Sequence, residues 1–376
     1  GPGQLQQGWK QHDDDNDGLW TSLYVAAESF RFASTGDEKA RQQASRSLKA
    51  LMFLESVTGT PGYVARSVVP AGTRSVRDPE RWRPARDPAW RWKSDTSSDE
   101  LCGHFFAYPV YYDLAATVAE KEEIRKVVAR ITDRILDHDF YYVDPDGHRT
   151  TWGIWNPKEI NGDPKWVEEH GLNSLEILSF LKVAAHIVGK PRYEQVAREL
   201  IEKHGYARNT VKQKIKEAAN HSDDELAFLA YYPLLKYERD PKLRELYLAS
   251  IRRSWEIARP EQSPLFNYIY AAALQADHWT NATARPPIAE VPPTDYDADA
   301  CVEWFREVPT DLVDWMVDNS GRNDASAKPF SVFERGILKW NGNPYELKRG
   351  GAGRSCDDGT FILLPYWMGV YHRFVD

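Results

Sequence analysis

The sequence has few cysteines and lacks long apolar runs. Only 3 of its 376 residues are cysteines, namely Cys102, Cys301 and Cys356. Three cysteines cannot form a disulfide framework, and their spacing matches no cysteine-based metal site. No uninterrupted apolar run approaches the roughly 20 residues that a membrane-spanning helix needs. The chain is therefore expected to be neither a disulfide scaffold nor a membrane-spanning protein.

The chain lacks an excess of positive charge. The chain has 48 Lys and Arg residues against 56 Asp and Glu residues, which gives a net charge of −8. A general nucleic-acid-binding protein carries the opposite balance, so no nucleic-acid or membrane partner is expected. Hydrophobic residues make up 42% of the chain, an ordinary globular composition. Gly1-Pro2-Gly3 resembles a protease remnant, so we interpret residues 1–12 as a lead-in and 13–376 as one domain.

Helical periodicity dominates the sequence. Apolar residues such as Ile124, Val128 and Ile135 recur on one helical face, with polar residues on the other. Amphipathic helices of this kind are predicted at residues 37–57, 120–137, 190–204, 240–257 and 302–319. Less polar helices are predicted between them, at residues 17–34, 98–117, 171–188, 222–237, 264–276 and 358–372. The turn signal Asp144-Pro145-Asp146-Gly147 predicts a short β-hairpin in one loop.

The length of a predicted loop depends on which kind of helix it follows. Each less polar helix leads to an amphipathic helix through a tight connection, such as Thr35-Gly36, except at about 277–301. The return connections are mostly long, for example residues 58–97 and 138–170. Functional residues are often carried by loops on a rigid scaffold. A site is therefore expected where the less polar helices begin.

A Ser-x-Asp-(Glu/Asp) tetrad opens three of the less polar helices. The copies lie about a third of the chain apart, at residues 97–100, 222–225 and 355–358. Each copy is followed by a proline inside the predicted helix, at Pro109, Pro233 and Pro365. Self-similarity at a regular spacing favours a ring of repeated units. The three acidic clusters are then predicted to meet at one end of the ring.

This alternation of helices, with long loops at one end, resembles the (α/α)6 toroid of the six-hairpin glycosidase group of carbohydrate-active enzymes. The resemblance concerns architecture and extends over essentially the whole chain. It implies an all-α fold, as a complete or incomplete six-hairpin barrel, with the site at the long-loop end. It also implies cleavage of glycosidic bonds, by hydrolysis or by β-elimination beside a uronic acid. A periplasmic or extracellular location is expected with it.

The tetrads supply the carboxyl groups that glycosidic hydrolysis requires. One carboxyl protonates the leaving oxygen, and a second acts as base or nucleophile. Ser-x-x-Glu is also a capping box, so Glu100 and Glu225 have a structural alternative. The middle aspartates have no role in that box, and we expect them to face a common cavity. The catalytic candidates are Asp99, Asp224, Asp357 and Glu225.

An Asn-His pair offers a different chemistry. Asn220-His221 resembles the pair in (α/α) alginate-lyase-type enzymes. That resemblance implies that Asn220 neutralises a uronate carboxylate, while His221 and a tyrosine, Tyr268 or Tyr270, transfer the proton. A single histidine near a helix start is more often structural. Hydrolysis, elimination and non-catalytic sugar binding therefore all remain open on the sequence.

Residues 63–93 form a loop with eight basic and three acidic residues. Arginine binds carboxylates through its fork geometry, and tryptophan can stack on sugars, so this loop favours an anionic saccharide. A loop that pairs with the acidic body is the alternative. The predicted substrate-binding residues of the whole chain are Asp17, Trp20, Arg66, Trp92, Lys93, Glu100, Trp155, His170, Asn220, Tyr268, Arg354 and Asp358.

Three aspartates near the start resemble the opening of a calcium loop. They are Asp13, Asp15 and Asp17, followed by Gly18. The twelfth position is Tyr24, where such a loop requires a bidentate glutamate. We therefore favour an acidic helix cap here and expect no cofactor.

Overall fold

The computed structural model describes residues 15–74, 76–213, 221–259, 263–275 and 359–375. Helices account for most of these residues, in agreement with the predicted all-α class. The helices are α1 (Asp17–Thr35), α2 (Glu38–Ser56), α3 (Ser98–Leu114), α4 (Val118–Asp137), α5 (Pro157–Gly162), α6 (His170–Val188), α7 (Pro191–His204), α8 (Tyr206–Thr210), α9 (His221–Tyr237), α10 (Pro241–Ala258), α11 (Pro264–Leu274) and α12 (Thr360–His372).

The two predicted kinds of helix are both present. The less polar helices α1, α3, α6, α9, α11 and α12 carry most of the buried side chains, whereas α2, α4, α7 and α10 bury one face. Helix α3 ends at Leu114 rather than at the predicted residue 117. It ends there because Thr117 caps α4 in a reciprocal capping box with Glu120. The amphipathic helix predicted at 302–319 lies outside the described residues.

Within the described residues, the buried helices contact one another in cyclic order. Helix α1 packs against α3, α3 against α6, α6 against α9, α9 against α11, α11 against α12, and α12 against α1. First turns meet first turns, since Glu100 contacts Gly18 and the Cys102 thiol donates to the Leu226 carbonyl. The N-terminal ends of α1, α3 and α9 therefore lie at the same end of the fold. Helix α3 also contacts α9, so side chains fill the centre.

Two small sheets lie in the long loops. Strands β1 (Ser67–Pro70), β2 (Trp82–Pro84) and β3 (Trp90–Lys93) form an antiparallel sheet in the order β1-β3-β2. Strands β4 (Tyr141–Val143) and β5 (Arg149–Ile154) form the hairpin predicted at the turn signal. The three-stranded sheet was not predicted, because strands of three or four residues are too short to show alternation.

Helix α6 is long and apolar enough to cross a membrane by length and composition alone, and it is the only described helix of that character. Most of it is buried inside the fold. A core helix of a globular protein passes the same test, so this apolar character is explained by its central position.

Gly103 allows α1 and α3 to approach closely. A Cβ atom at this position would lie 2.5 Å from Leu19 Cα and 2.7 Å from Ser22 Oγ. We expect Gly103→Ala to push the helices apart and lower the free energy of unfolding by about 1–3 kcal/mol. Gly162→Ala is the control, because nothing lies within 4 Å of the added atom. Equal denaturation midpoints for the two variants would contradict this account.

A buried polar cluster joins the C-terminal ends of α3, α6 and α9. The Asp113 carboxylate accepts hydrogen bonds from His186 Nε2 (2.8 Å), Lys236 Nζ (2.8 Å) and the Tyr237 hydroxyl (2.7 Å). Burial alone would raise the pKa of Asp113, but Lys236 and His186 outweigh burial and hold it well below its usual range. The ionised form is therefore the one that stabilises this end of the fold.

This cluster predicts a pH-dependent stability. A carboxyl whose folded pKa is lowered stabilises the protein above its unfolded pKa of about 3.9, and this contribution is lost as the pH falls. We expect Asp113→Asn to cost about 1–3 kcal/mol at neutral pH. The difference from the wild type should shrink in acid, as measured by denaturant unfolding. A difference that stayed constant with pH would refute the assignment.

Candidate active site

Asp99 is half-buried in the first turn of α3, at the end where the buried helices begin. Its Oδ2 accepts a hydrogen bond of 3.1 Å from Asn16 Nδ2. Asn16 precedes α1 in a left-handed conformation, with φ of 65°, which asparagine tolerates better than most residues. Burial raises the pKa of Asp99, and the Arg66 charge and the Asn16 hydrogen bond oppose that rise.

Two further half-buried acids come from the neighbouring helices. Glu169 is the residue before α6, and Asp223 lies in the first turn of α9. Burial raises the pKa of Glu169, and the charge of Asp99 raises it further. We call Asp99, Glu169 and Asp223 the acidic mouth. Glu169 was not predicted, because no tetrad marks the start of α6.

Glu176 lies beneath the acidic mouth and is completely buried. Its Oε2 accepts a hydrogen bond of 3.0 Å from Trp155 Nε1. Burial raises the pKa of Glu176 well above its usual range, and the charges of Asp99, Glu169 and Asp223 add to this, against the Trp155 hydrogen bond. Glu176 belongs to no motif and was not predicted, although a glutamate within an apolar helix is a usable signal.

Glu100 caps a different helix from the one that contains it. Its Oε2 accepts hydrogen bonds from the Gly18 (3.0 Å) and Leu19 (3.3 Å) amides at the start of α1. Its Oε1 lies 3.1 Å from His104 Nε2, and His104 Nδ1 lies 2.9 Å from the Tyr108 hydroxyl. The predicted capping box is therefore only half present. Ser97 Oγ accepts the Glu100 amide, but the Glu100 side chain turns towards α1.

The second tetrad differs from the first. Helix α9 begins at His221, so Ser222 is its second residue, whereas Ser97 immediately precedes α3. Asp224 and Glu225 are buried, with 0% and 1% exposure. Asp223 occupies the half-buried position that Asp99 has in α3. The His221 side chain lies outside the described part of the chain, as do the further candidates Asn220, Arg354, Asp357 and Asp358.

Lys93 and Arg66, the two cations of the 63–93 loop predicted to bind substrate, contact protein acids instead. Lys93 is 1% exposed, and its Nζ lies 2.6 Å from Asp15 Oδ1 and 2.8 Å from Asp78 Oδ2. Arg66 lies 3.5 Å from Asp15 and donates to the Asp95 carbonyl at 3.0 Å. These contacts match the alternative interpretation, in which the loop pairs with the acidic body.

The aspartates of the resembled calcium loop also bind protein groups. Asp15 accepts from Lys93, and Asp17 Oδ2 accepts from Ser67 Oγ (2.6 Å) and the Val68 amide (3.3 Å). Asp13 lies outside the described residues. In the part of the chain that the structure describes, no group of three or more His, Cys, Asp or Glu side chains is suited to a metal ion.

The tryptophans proposed as sugar platforms differ in exposure. Trp20 is half-buried beside Phe361, with ring centroids 5.7 Å apart. Trp92 and Trp155 are buried, with 4% and 0% exposure, whereas Trp152 is 46% exposed. A sugar could therefore stack on Trp20 or Trp152 without any rearrangement of the core.

Two of the remaining candidates are core residues, and the third adjoins the acidic mouth. Tyr268 and Tyr270 are completely buried, and Tyr270 stacks on Trp255 of the amphipathic helix α10 at 4.4 Å. Tyr268 stacks on Phe374, beyond the end of α12, at 5.5 Å. His170 is half-buried at the first position of α6, and burial lowers its pKa.

A large cavity lies elsewhere in the molecule. It has a volume of about 790 Å³ and is lined along α10 by residues that include Arg244, Leu248 and Arg252, with Leu274 of α11. It therefore lies away from the acidic mouth. Among known proteins, no protein family, no curated protein and no solved structure matches this chain significantly.

Proposed function

We propose that this chain is an enzyme that hydrolyses glycosidic bonds of an oligo- or polysaccharide, on a helical ring of the (α/α)6 type. The cyclic contacts among the buried helices support the ring. The position of the acidic mouth at the helix starts, beside the long loops, supports a site at that end. The two small sheets border the same end, since the Asp17 amide donates to the Arg66 carbonyl beside β1.

One observation carries the proposal. Asp99, in the first turn of α3, and Glu169, just before α6, are half-buried acids at the starts of two helices that contact each other, and the charge of Asp99 acts on Glu169. Hydrolysis of a glycoside needs one protonated and one ionised carboxyl. Crowding of two carboxyls produces such a division, because ionisation of one raises the pKa of the other.

We infer the two roles from the surroundings of each carboxyl. Asp99 accepts a hydrogen bond from Asn16 and lies in the field of Arg66, and both interactions favour its ionised form. Glu169 has no such hydrogen bond or cation among the described residues, and burial and the Asp99 charge both favour its protonated form. We therefore propose Asp99 as the base or nucleophile and Glu169 as the general acid.

The ion pairs of Arg66 and Lys93 indicate the charge of the substrate. Arg66 and Lys93 already bind Asp15, Asp78 and the Asp95 carbonyl. Recruiting them to a uronate would require breaking contacts of a buried lysine and a nearly buried arginine, which is costly. We therefore propose a substrate without a negative charge at the cleavage site.

A screen with two readouts tests the function. The protein is incubated with neutral, amino and uronate polysaccharides, and new reducing ends and ultraviolet absorbance are followed together. Hydrolysis releases reducing ends without absorbance. Release with absorbance, from the C4–C5 double bond that elimination leaves, would support a lyase that uses Asn220 and His221. Binding without release from any polysaccharide would support the non-catalytic alternative.

A further inference from the structure

Trp152 on β5 is an exposed tryptophan, with 46% of its surface open to solvent. Every other tryptophan that the structure describes is buried or half-buried. Tryptophan carries a large apolar surface, whose contact with water is unfavourable until a ligand or partner covers it. The only other large apolar side chains exposed in the described ranges are Val118 and Val167. Trp152 is therefore an isolated aromatic group rather than part of an extended apolar patch.

A wide β-bulge displays Trp152. The strands β4 and β5 pair at two positions, Tyr141–Ile154 and Val143–Arg149. Between these positions lies one residue of β4, Tyr142, but four residues of β5, 150–153. Bulges bend a strand and re-aim its side chains, and they are frequent next to active sites. Here the bulge turns two consecutive residues, Thr151 and Trp152, towards solvent.

Two anchors fix the shape of the bulge. Asp95 Oδ1 accepts from the Thr151 amide (2.7 Å), and Asp95 Oδ2 accepts from Thr151 Oγ1 (3.0 Å) and lies 2.9 Å from Arg81 Nη1. Asp95 makes these contacts from a left-handed conformation, with φ of 57°, which is uncommon outside glycine. On the other side, a Cβ atom at Gly153 would lie 2.5 Å from Tyr142 Cβ. The residue between the two anchors is therefore presented by a fixed backbone.

The same backbone joins the starts of α3 and α6. Asp95 lies four residues before Asp99 in the chain. The carbonyl of the last residue of β5 accepts a hydrogen bond of 2.8 Å from Asn173 Nδ2. Asn173 is in the first turn of α6, four residues after Glu169. Trp152 is within two residues of both contacts, so it lies between the helix starts that carry the two proposed catalytic carboxyls.

The surroundings of Trp152 suit a sugar better than a protein partner. A stable protein interface buries at least about 1,000 Å² and has an apolar centre, which an isolated tryptophan does not provide. A pyranose has a face of C–H groups and a rim of hydroxyls. The indole can cover that face, while the Thr151 hydroxyl and the Asp95–Arg81 pair can bind the hydroxyls.

We propose that Trp152 is a stacking site for a neutral pyranose of the substrate chain, and that Asp95 is the positioning residue that holds it. This inference rests on the proposed function and deepens it, since it names the sugar unit bound beside the acidic mouth. An indole stacked on a ring that does not react contacts the ground state and the transition state alike. It therefore contributes to affinity rather than to kcat.

Hexasaccharides of cellulose, amylose and mannan test this proposal. Their binding is measured by calorimetry on full-length chains that all carry Asp99→Asn, so that bound sugar is not cleaved. We expect Trp152→Ala to raise the Kd of the best-bound hexasaccharide by about tenfold or more, as for a tryptophan at the centre of an interface. Trp152→Phe keeps an aromatic ring and should raise the Kd by less than about threefold. Val118→Ala removes an exposed apolar group at the start of α4 and should leave the Kd unchanged.

A double-mutant cycle tests the role of Asp95. Asp95→Ala removes the contacts to Thr151 and Arg81, and we expect it to raise the Kd by about threefold to tenfold when Trp152 is present. In the Trp152→Ala chain the same change should add little, because the two residues act through one contact. An equal increase in both chains would show that Asp95 is merely structural.

The outcomes separate this inference from the proposed function. The absence of binding to all three hexasaccharides, or an unchanged Kd in Trp152→Ala, would overturn the inference. Self-association that Trp152→Ala abolishes would assign the indole to an interface between copies of the chain, and would overturn it as well. Cleavage in the polysaccharide screen with an unchanged Kd would leave the hydrolase proposal intact. Binding that depends on Trp152, without cleavage by the wild type, would remove the hydrolase proposal alone.

Discussion

Asp99→Asn should reduce kcat/KM for glycoside hydrolysis by about a hundredfold to ten-thousandfold, the range expected when a general acid or base is lost. The asparagine can still accept from Asn16 Nδ2, so the fold at the start of α3 should persist. We therefore expect the melting temperature to stay within a few degrees of the wild-type value. The measurement is steady-state hydrolysis of the polysaccharide identified by the screen, with Asp87→Asn as the matched acid-to-amide control.

The assignment of Glu169 as acid is tested by changing the leaving group. An aryl glycoside whose leaving group needs no protonation should be cleaved by Glu169→Gln at close to the wild-type rate. Asp99→Asn should lose activity on both the aryl and the natural substrate, because it lacks the base or nucleophile. The opposite pattern would reverse the two roles, and full activity of both variants would remove the acidic mouth from the mechanism.

Glu100→Ala should cause the largest loss of stability. The substitution leaves the Gly18 and Leu19 amides without their buried acceptor, and it removes the hydrogen-bond partner of His104 Nε2. Each unsatisfied buried donor costs about 1–3 kcal/mol, so we expect a total loss of about 3–5 kcal/mol in the free energy of unfolding. Denaturant titration at neutral pH measures it.

Glu100→Gln provides the matched control for that variant. The amide oxygen can still accept the two backbone hydrogen bonds, and burial already favours a neutral Glu100 by raising its pKa well above the usual range. We expect it to lose less than half as much stability as Glu100→Ala. A Glu100→Ala protein with wild-type stability would show that the cap between α3 and α1 is unimportant.

The helical alternation could be predicted because it depends on local periodicity. The segments 37–57 and 240–257 were predicted within two residues of α2 and α10, since the spacing of apolar residues reflects one helix at a time. The internal prolines Pro109, Pro233 and Pro365 also lie inside helices, as expected.

The site was predicted only in part. Two copies of the same motif need not begin their helices at the same residue, so matching side chains can point in different directions. Asp99 and Asp224 occupy the same place in their tetrads, yet Asp99 is half-buried and Asp224 is completely buried. Helix α9 begins before Ser222, whereas α3 begins after Ser97, so the two aspartates are presented differently. Glu169 and Glu176 belong to no motif and become notable only through their neighbours.

The sequence by itself determined the class of fold, the order of buried and amphipathic helices, and the end at which acids accumulate. These properties follow from periodicity, helix-start residues and loop lengths, all of which are local. Only the tertiary structure decided that Glu100 caps α1, that Lys93 is neutralised by Asp15 and Asp78, and that Glu176 lies beneath the acidic mouth. Burial and charge pairing join residues that are distant in the chain, so local patterns do not contain them.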